Sequence, residues 1–211
     1  IYFTSGSTGT PKGVKISQEG LSTIVPKIVQ LLRISEEIWG DYHDLSFVIS
    51  IPILFSCIYS GGTIYCASNK LDQFMPLQSL TKNKVSCLVT VPSTLARISK
   101  DKHFDQLFSS LKTIVSCGEP FPIDLMNLYL KNKNIRLFNF YGSTEVTAWI
   151  FYHLCEKEDI SKYSNYGYAP IGKKIQGNEI IITDENLLLV RGPQVTPGYL
   201  GQDKKSHLQK Y

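Results

Sequence analysis

The chain has 211 residues, of which 43% are hydrophobic and 19% are charged, and its formal net charge is only +4. This composition indicates a globular protein with one sizeable core, or one domain with part of another. Because the net charge is small and the lysines are dispersed, they are only weak evidence for a nucleic-acid partner or an acidic membrane surface, and we expect no nucleic-acid partner.

The cysteines are widely spaced and include no Cys-x-x-Cys pair: Cys57, Cys66, Cys87, Cys117 and Cys155. That spacing argues against a disulfide framework and against a zinc site, and it favours a reducing, cytoplasmic location. Every apolar stretch is shorter than the roughly 18 residues that cross a bilayer, so we expect no membrane insertion. The first residues also lack the basic start of a signal peptide. An apolar strand at residue 1 and a charged end suggest an internal fragment of a longer protein.

The predicted elements begin with two short strands on either side of a glycine-rich stretch. Residues 1–3 are apolar and predict a buried strand, and residues 13–16 predict a second strand. Ser17 is a suitable N-cap for a helix whose apolar residues recur about every 3.6 positions from residue 21 to residue 32. Residues 45–59 are apolar almost throughout, and their length favours a helix.

Strands and helices then alternate as far as residue 140. Strands are predicted over 63–66, 85–91, 111–116 and 135–140, and helices over 74–82, 92–99 and 123–131. This alternation predicts an α/β fold, a layered and mostly parallel sheet with flanking helices. Ligands are expected beyond the carboxyl ends of the strands, at Thr4, at Gly118-Glu119 and at Tyr141-Gly142.

From about residue 163 the pattern changes to short β-like runs, over 179–183 and 187–191. We therefore predict an α/β core subdomain over residues 1–162 and the start of a small β-rich subdomain over residues 163–211.

The glycine-rich stretch, residues 4–13, combines three glycines and five hydroxyl side chains with Pro11 and Lys12. Glycines let successive N–H groups point into a concavity, while hydroxyls and a lysine add donors and positive charge, so the stretch suits a polyphosphate. It departs from the P-loop pattern, because Lys12 lies between Pro11 and Gly13. The alternative is a flexible turn.

A second polar stretch, residues 139–145, reads Asn-Phe-Tyr-Gly-Ser-Thr-Glu. It offers an aromatic face for a base, hydroxyl donors for a phosphate and a carboxylate for a hard cation. The alternative is a strand followed by a helix that Ser143 or Thr144 caps.

Together the two stretches resemble the signatures of the adenylate-forming superfamily, which includes acyl-CoA synthetases, luciferases and amino-acid adenylation domains. The resemblance implies ATP and Mg²⁺ as cofactors, with Lys12, Thr144 and Glu145 in catalysis and Glu145 holding the metal. It implies that Tyr141 stacks on adenine and that Asn139 bonds its edge. The remaining implied nucleotide-binding residues are Thr4, Ser5, Gly6, Ser7, Thr8, Gly9, Gly118, Glu119, Pro120 and Gly142.

His43-Asp44-Leu45-Ser46 is similar to the Phe-Asp-x-Ser motif of amino-acid adenylation domains, in which the Asp pairs with the substrate's α-ammonium. His43 replaces the aromatic residue, and acyl-CoA synthetases often carry His there. The alternative for Asp44 is a loop residue that caps the following helix. The resemblance implies a small, mainly apolar substrate pocket formed by His43, Asp44, Leu45, Val48, Thr90, Val115, Cys117, Phe140, Ala148 and Trp149.

Cys117-Gly118-Glu119, followed by Pro-Phe-Pro, resembles the D-alanine:carrier-protein ligases, although Cys117 could equally be a plain buried cysteine. The implied function is activation of a small amino acid as its aminoacyl-adenylate, for transfer to the phosphopantetheine thiol of a carrier protein. An acyl- or aryl-CoA synthetase and a non-catalytic nucleotide-binding module remain alternatives. The family also implies an N-terminal region and a C-terminal lid domain outside this chain, so we expect the fragment alone to be weakly active or inactive.

Overall fold

A computed structural model describes residues 1–4 and 11–201. The chain begins with an antiparallel hairpin of β1 (Tyr2–Thr4) and β2 (Lys12–Val14). The prediction of a buried first strand is wrong, because Phe3 is 64% exposed. The strand pairs with β2 in a two-stranded sheet of its own, so its outer side chains face solvent.

Helix α1 (Gln18–Leu32) follows, and its start confirms the predicted N-cap. The Ser17 Oγ accepts a hydrogen bond from the backbone N–H of Gly20 at 2.9 Å, which satisfies one of the unpaired donors of the first turn. Ile24, Ile28 and Leu32 recur at helical spacing and are buried, so this face of α1 packs on the core.

The described residues form one large sheet of seven strands. In chain order these are β3 (Ile38–Asp41), β4 (Thr63–Cys66), β5 (Cys87–Thr90), β6 (Thr113–Cys117), β7 (Arg136–Tyr141), β8 (Phe151–Leu154) and β9 (Lys173–Lys174). Their order in the sheet is β4-β3-β5-β6-β7-β8-β9. The first five in that order are parallel, and β8 and β9 are antiparallel to their neighbours.

Helices cover both faces of this sheet, and alternate side chains of each central strand point to opposite layers. These helices are α2 (Ser50–Tyr59), α3 (Lys70–Phe74), α4 (Leu77–Lys82), α5 (Pro92–Ile98), α6 (Ile123–Leu130) and α7 (Lys157–Lys162). Cys87 and Val89 of β5 pack in the layer of α1 and α2, and Leu88 packs in the layer of α4, α5 and α6. Successive side chains of a strand point to opposite faces of the sheet, and in a parallel sheet both faces are typically buried under helices. The predicted α/β class and mostly parallel sheet are confirmed.

The predicted helices over 45–59 and 74–82 are too long. α2 begins at Ser50, because residues 45–49 form turns. The predicted helix over 74–82 contains α4 but only the last residue of α3, which the sequence analysis missed. Met75 and Pro76 separate α3 from α4, since Pro76 lacks the N–H that would continue the helix. The sequence analysis also missed β3, whose Gly40 and Asp41 are poor strand formers.

The last part of the described chain contains a separate antiparallel hairpin of β10 (Glu179–Ile182) and β11 (Leu188–Arg191). β9 lies after residue 162 but pairs with β8 of the large sheet. The division into subdomains at residue 162 stays a prediction. Within the described ranges, every helix is too short or too polar to cross a bilayer.

Candidate active site

The carboxyl ends of β3 and β5 define a crevice in the sheet. After β3 the chain continues into α2, which lies on the same face of the sheet as α1, as the burial of Ile53 shows. After β5 it continues into α5, which lies on the other face, as the burial of Leu95 shows. Neighbouring parallel strands whose connections leave to opposite faces form a topological switch point, where open α/β sheets bind ligands. A Cβ on Gly118, just after β6, would lie 3.8 Å from Ile49, so the loop before α2 reaches the end of β6.

Six of the predicted pocket residues are buried together in the layer between the sheet and α1 and α2: Val48, Val115, Cys117, Phe140, Ala148 and Trp149. The rings of Phe140 and Trp149 meet edge to face, with centroids 5.3 Å apart and planes at 86°. Such pairs are stabilising and rigid. These bulky rings fill space at the ends of β6 and β7, which supports a small apolar pocket.

Cys117 is fully buried, and burial raises the pKa of its thiol to about 12. Its Sγ lies 3.8 Å from the carbonyl oxygen of Thr90, which it meets as a weak donor. A thiol that stays protonated is a poor nucleophile. Cys117 therefore contributes shape and packing at this site, and Thr90, also buried, contributes its backbone.

Asp44 and Leu45 lie outside this buried group. Leu45 is 73% exposed. The exposed carboxylate of Asp44 accepts a hydrogen bond from the N–H of Ser46 at 2.9 Å, and this bond lowers the Asp44 pKa. Asp44 thus begins the turns that lead into α2. It does not cap that helix, whose N-cap position is Ile49.

Asp41, the last residue of β3, contacts the predicted site residue His43, and the sequence analysis gave it no role. Its carboxylate is buried and accepts a hydrogen bond from the backbone N–H of His43 at 3.1 Å. The same oxygen lies 3.3 Å from the Nδ1 of His43. An Asp two residues before a His is not a recognisable sequence motif. The contact between the two side chains is therefore visible only in the structure of the turn after β3.

The predicted adenine-binding residues lie at the ends of β6 and β7. Tyr141 is partly exposed, and its ring centroid is 6.2 Å from that of Phe151. The side-chain amide of Asn139 is buried and donates to the carbonyl oxygen of Pro170 at 3.0 Å. The ring of Tyr141 is therefore accessible to solvent, whereas the Nδ2 of Asn139 forms a hydrogen bond within the protein. Their roles in binding adenine stay predictions.

Gly118, Glu119 and Pro120 form the exposed turn after β6. Gly118 has a φ of +81°, a left-handed conformation that glycine adopts without strain. The Glu119 carboxylate accepts hydrogen bonds from the N–H and the Oγ of Ser93, both at 3.0 Å. Glu119 thus pairs with the first turn of α5 and fixes the turn beside the crevice.

Glu145 and Lys12 meet around Tyr199, a residue to which the sequence analysis gave no role. The Tyr199 hydroxyl donates to Oε1 of Glu145 at 3.1 Å. The Lys12 Nζ lies over the Tyr199 ring, 5.4 Å from its centroid. Thr144 lies in the same 3₁₀ turn as Glu145. The three predicted catalytic residues, Lys12, Thr144 and Glu145, are therefore close together.

Of the predicted binding residues in the glycine-rich stretch, the structure describes Thr4 and Lys12. The others lie outside the described residues: Ser5, Gly6, Ser7, Thr8 and Gly9.

The sequence analysis predicts one protein ligand for Mg²⁺, Glu145, whose side chain is half-buried in the structure. Within residues 1–4 and 11–201, no group of three His, Cys, Asp or Glu side chains is arranged to hold a metal ion. Mg²⁺ commonly takes one or two carboxylates and fills its other positions with water and substrate phosphates. A single Glu beside a nucleotide site fits that chemistry.

The AMP-binding enzyme family matches residues 1–200. The chain belongs to this family. A relative, the D-alanine–D-alanyl carrier protein ligase of Bacillus licheniformis, is 28% identical over 218 residues, which are 96% of this chain and 43% of that protein. The chain spans less than half the length of this relative.

Two solved structures show the same AMP-binding fold. One is the Vibrio cholerae adenylation domain AlmE in complex with glycyl-adenosine-5'-phosphate, with a TM-score of 0.81 and 24% identity over 99% of this chain and 43% of that one. The other is the Bacillus subtilis o-succinylbenzoate coenzyme A synthetase MenE with ATP and magnesium ion, with a TM-score of 0.79 and 22% identity over 99% of this chain and 44% of that one.

Proposed function

We propose that the full protein activates a small amino acid as its aminoacyl-adenylate and transfers it to the phosphopantetheine thiol of a carrier protein in the cytoplasm. The observation that carries the proposal is the grouping of Lys12 and Glu145 around Tyr199. The predicted pocket residues Cys117, Phe140 and Trp149, which are buried together, support a small apolar substrate. A carrier-protein ligase among the relatives supports the choice of acceptor.

In the first step a carboxylate oxygen of the amino acid attacks the α-phosphorus of ATP. The bond from that phosphorus to the bridging oxygen breaks, and pyrophosphate leaves with the electron pair. Mg²⁺, when bound by Glu145, supplies charge neutralisation at the phosphates. Lys12 offers a cation to the departing phosphates, Thr144 contacts the α-phosphate, and Tyr141 with the turn after β6 holds the adenine. Catalysis of this kind rests on positioning and charge stabilisation.

In the second step the carrier thiol gives its proton to solvent and its sulfur attacks the acyl carbon; the bond from that carbon to the phosphate oxygen breaks, and AMP leaves with the electron pair. We expect selection of a small side chain, because the predicted pocket residues Phe140 and Trp149 are bulky, buried and packed against each other. Isolated residues 1–211 are expected to bind ATP weakly and to adenylate poorly, because they span less than half the length of the curated relative that they match.

The test is hydroxamate formation by the full-length protein with ATP, Mg²⁺, hydroxylamine and a panel of acids. Glycine and alanine are expected to give product, and acetate, propionate and benzoate much less. If only the acids without an amine give product, the amino-acid proposal is contradicted. That result would favour an acyl- or aryl-CoA synthetase, the candidate that His43 supports. ATP binding with no hydroxamate from any acid would favour the non-catalytic module.

A further inference from the structure

An open cleft of about 1000 Å³ is lined by residues of α1, β7, β8 and β9. Its walls carry one carboxylate, Glu156, and five cationic side chains: Lys27, Arg33, Arg136, Lys173 and Lys174. This excess of positive charge equals the formal net charge of +4 of the whole chain, so the charges of all other residues balance. Positive charge that is dispersed in the sequence is therefore concentrated on one concave surface, where it attracts anions.

Within residues 1–4 and 11–201, no carboxylate forms an ion pair with any of these five cations. Asp159 contacts two residues of the cleft wall, but its charge is already compensated. Its Oδ2 lies 2.7 Å from the Nε2 of His153 and accepts the backbone N–H of Glu156 at 2.8 Å. The five cations repel one another across the cleft, and a bound anion would relieve that repulsion.

Arg136 and Lys27 are held in place at the cleft by contacts with both of its walls. The Arg136 guanidinium donates to the Thr113 hydroxyl at 2.7 Å and to the carbonyl oxygen of Leu32, the last residue of α1. These bonds fix the guanidinium, and an arginine has further N–H donors that can bind a phosphate. A Cβ on Gly177 would overlap the Nζ of Lys27, so this ammonium reaches from α1 to the segment after β9. Cations from different elements therefore line the same space.

The cleft does not include the proposed nucleotide site. Arg136 is the first residue of β7 and Tyr141 is the last, so about 16 Å of strand separates them. Lys12, Tyr141 and Glu145 are not among the residues that line the cleft. A ligand in the cleft and a nucleotide at Tyr141 would thus be held by different side chains.

We propose that this cleft binds the diphosphate or triphosphate group of a polyphosphate anion, between Lys27 and Arg136 on one wall and Lys173 and Lys174 on the other. Guanidinium and ammonium groups form charge-assisted hydrogen bonds with phosphate oxygens, and cations on two walls match an anion with at least two phosphates. The anion is an inorganic chain or the phosphate group of a nucleotide. This site goes beyond the proposed function and does not depend on it.

Lysine acetylation of the full-length protein, followed by peptide mass spectrometry, tests the proposal without measuring turnover. With saturating tripolyphosphate in about 0.15 M salt, acetylation of the three cleft lysines is expected to slow by about 5-fold or more. Lys100 and Lys102, an exposed pair after α5, are expected to change by less than about 2-fold. ATP is the second probe. Protection of the cleft lysines by ATP identifies a nucleotide as the ligand, and protection by tripolyphosphate alone identifies an inorganic chain.

Two double variants remove the same charge at two places, Lys173→Gln with Lys174→Gln in the cleft and Lys100→Gln with Lys102→Gln outside it. The cleft variant is expected to raise the tripolyphosphate concentration that half-protects Lys27 by about 10-fold, and the control variant by less than about 2-fold. Arg136 is left unchanged, because its bonds also hold the end of α1.

Three results would overturn the proposal: protection of Lys12 without the cleft lysines, equal protection of Lys100 and Lys102, or an equal shift in the two double variants. Lys12 also separates this proposal from the proposed function. If ATP does not protect Lys12, the proposed nucleotide site fails, whereas the cleft is judged by its own lysines.

Discussion

The Tyr199 hydroxyl donates a hydrogen bond to the Glu145 carboxylate at 3.1 Å, and the same ring lies under the ammonium of Lys12. One aromatic residue therefore contacts both of the charged groups that the sequence predicts for nucleotide binding. Without the hydroxyl, the Glu145 carboxylate is free to take other rotamers.

Tyr199→Phe is expected to lower kcat/KM for ATP in the full-length protein by about 3- to 10-fold. The ring and its contact with Lys12 remain, so the loss reports on the hydrogen bond. The measurement is ATP–pyrophosphate exchange as a function of Mg²⁺ concentration. Tyr166→Phe, which removes the hydroxyl of an exposed tyrosine, is the control. An unchanged Mg²⁺ dependence in Tyr199→Phe would show that the bond does not position Glu145.

Gly142→Ala is expected to destabilise the fold by about 3 kcal/mol. A Cβ at this position would lie 2.0 Å from the carbonyl oxygen of Ala148, and backbone on that side cannot move away as a side chain could. Urea unfolding, followed by tryptophan fluorescence, measures the difference. Ser143→Ala, an exposed change in the same turn, is the control and should alter stability by less than about 0.5 kcal/mol. Wild-type stability in Gly142→Ala would mean that the turn opens easily.

Gln194→Ala is expected to destabilise the protein by about 2 to 4 kcal/mol. The buried Nε2 of Gln194 donates to the carbonyl oxygens of Val146 at 3.2 Å and Trp149 at 2.9 Å, which the variant leaves unpaired. Because these carbonyls belong to the pocket wall, KM for the acid should also rise. Urea unfolding and steady-state kinetics measure the two effects, and exposed Gln176→Ala is the matched control. Equal stability of the two variants would contradict the account.

Alkylation by iodoacetamide at pH 8 is expected to modify Cys66 well before Cys117. Burial raises the pKa of the Cys117 thiol to about 12, so its thiolate is scarce below that pH, and the residue is also inaccessible. Cys66 is exposed, although partial burial raises its pKa too. Peptide mass spectrometry over time gives the order, and a urea-unfolded sample, in which both should react alike, is the control. Equal rates in the folded protein would indicate that the β6 end opens readily.

The parallel sheet was predicted well from the sequence, because the spacing of apolar residues differs clearly between helices and strands after residue 60. In addition, Pro92 and Pro122 lie at the starts of helices. The sequence analysis missed β3, which lies between β4 and β5 in the sheet and sets the switch point. Strand order depends on contacts between distant residues and leaves no local pattern. The contacts of Asp41 with His43 and of Tyr199 with Glu145 also leave no local pattern in the sequence, because they depend on the folded chain.

The predicted burial of the pocket shows the same limit. The bulky residues at the ends of β6 and β7 are buried as a buried-strand pattern predicts, whereas Asp44 and Leu45 face solvent in a turn. Apolar content alone did not distinguish that turn from the first turn of α2. Their roles, and those of the other predicted site residues, stay predictions.

The strand β2 is joined to the far end of the described chain. Val14 forms a bridge with Tyr199, the Leu200 N–H donates to the Gly13 carbonyl at 2.7 Å, and the Thr196 hydroxyl donates to the Lys15 carbonyl, 181 residues away in sequence. Contacts with so large a sequence separation form late in folding, because a long loop must close first. During synthesis, which proceeds from the amino end, the β1–β2 hairpin must therefore wait for residues 196–200 before it reaches its final partners. Slow or paused translation between the two would leave this hairpin exposed to chaperones and proteases for longer than the rest of the sheet.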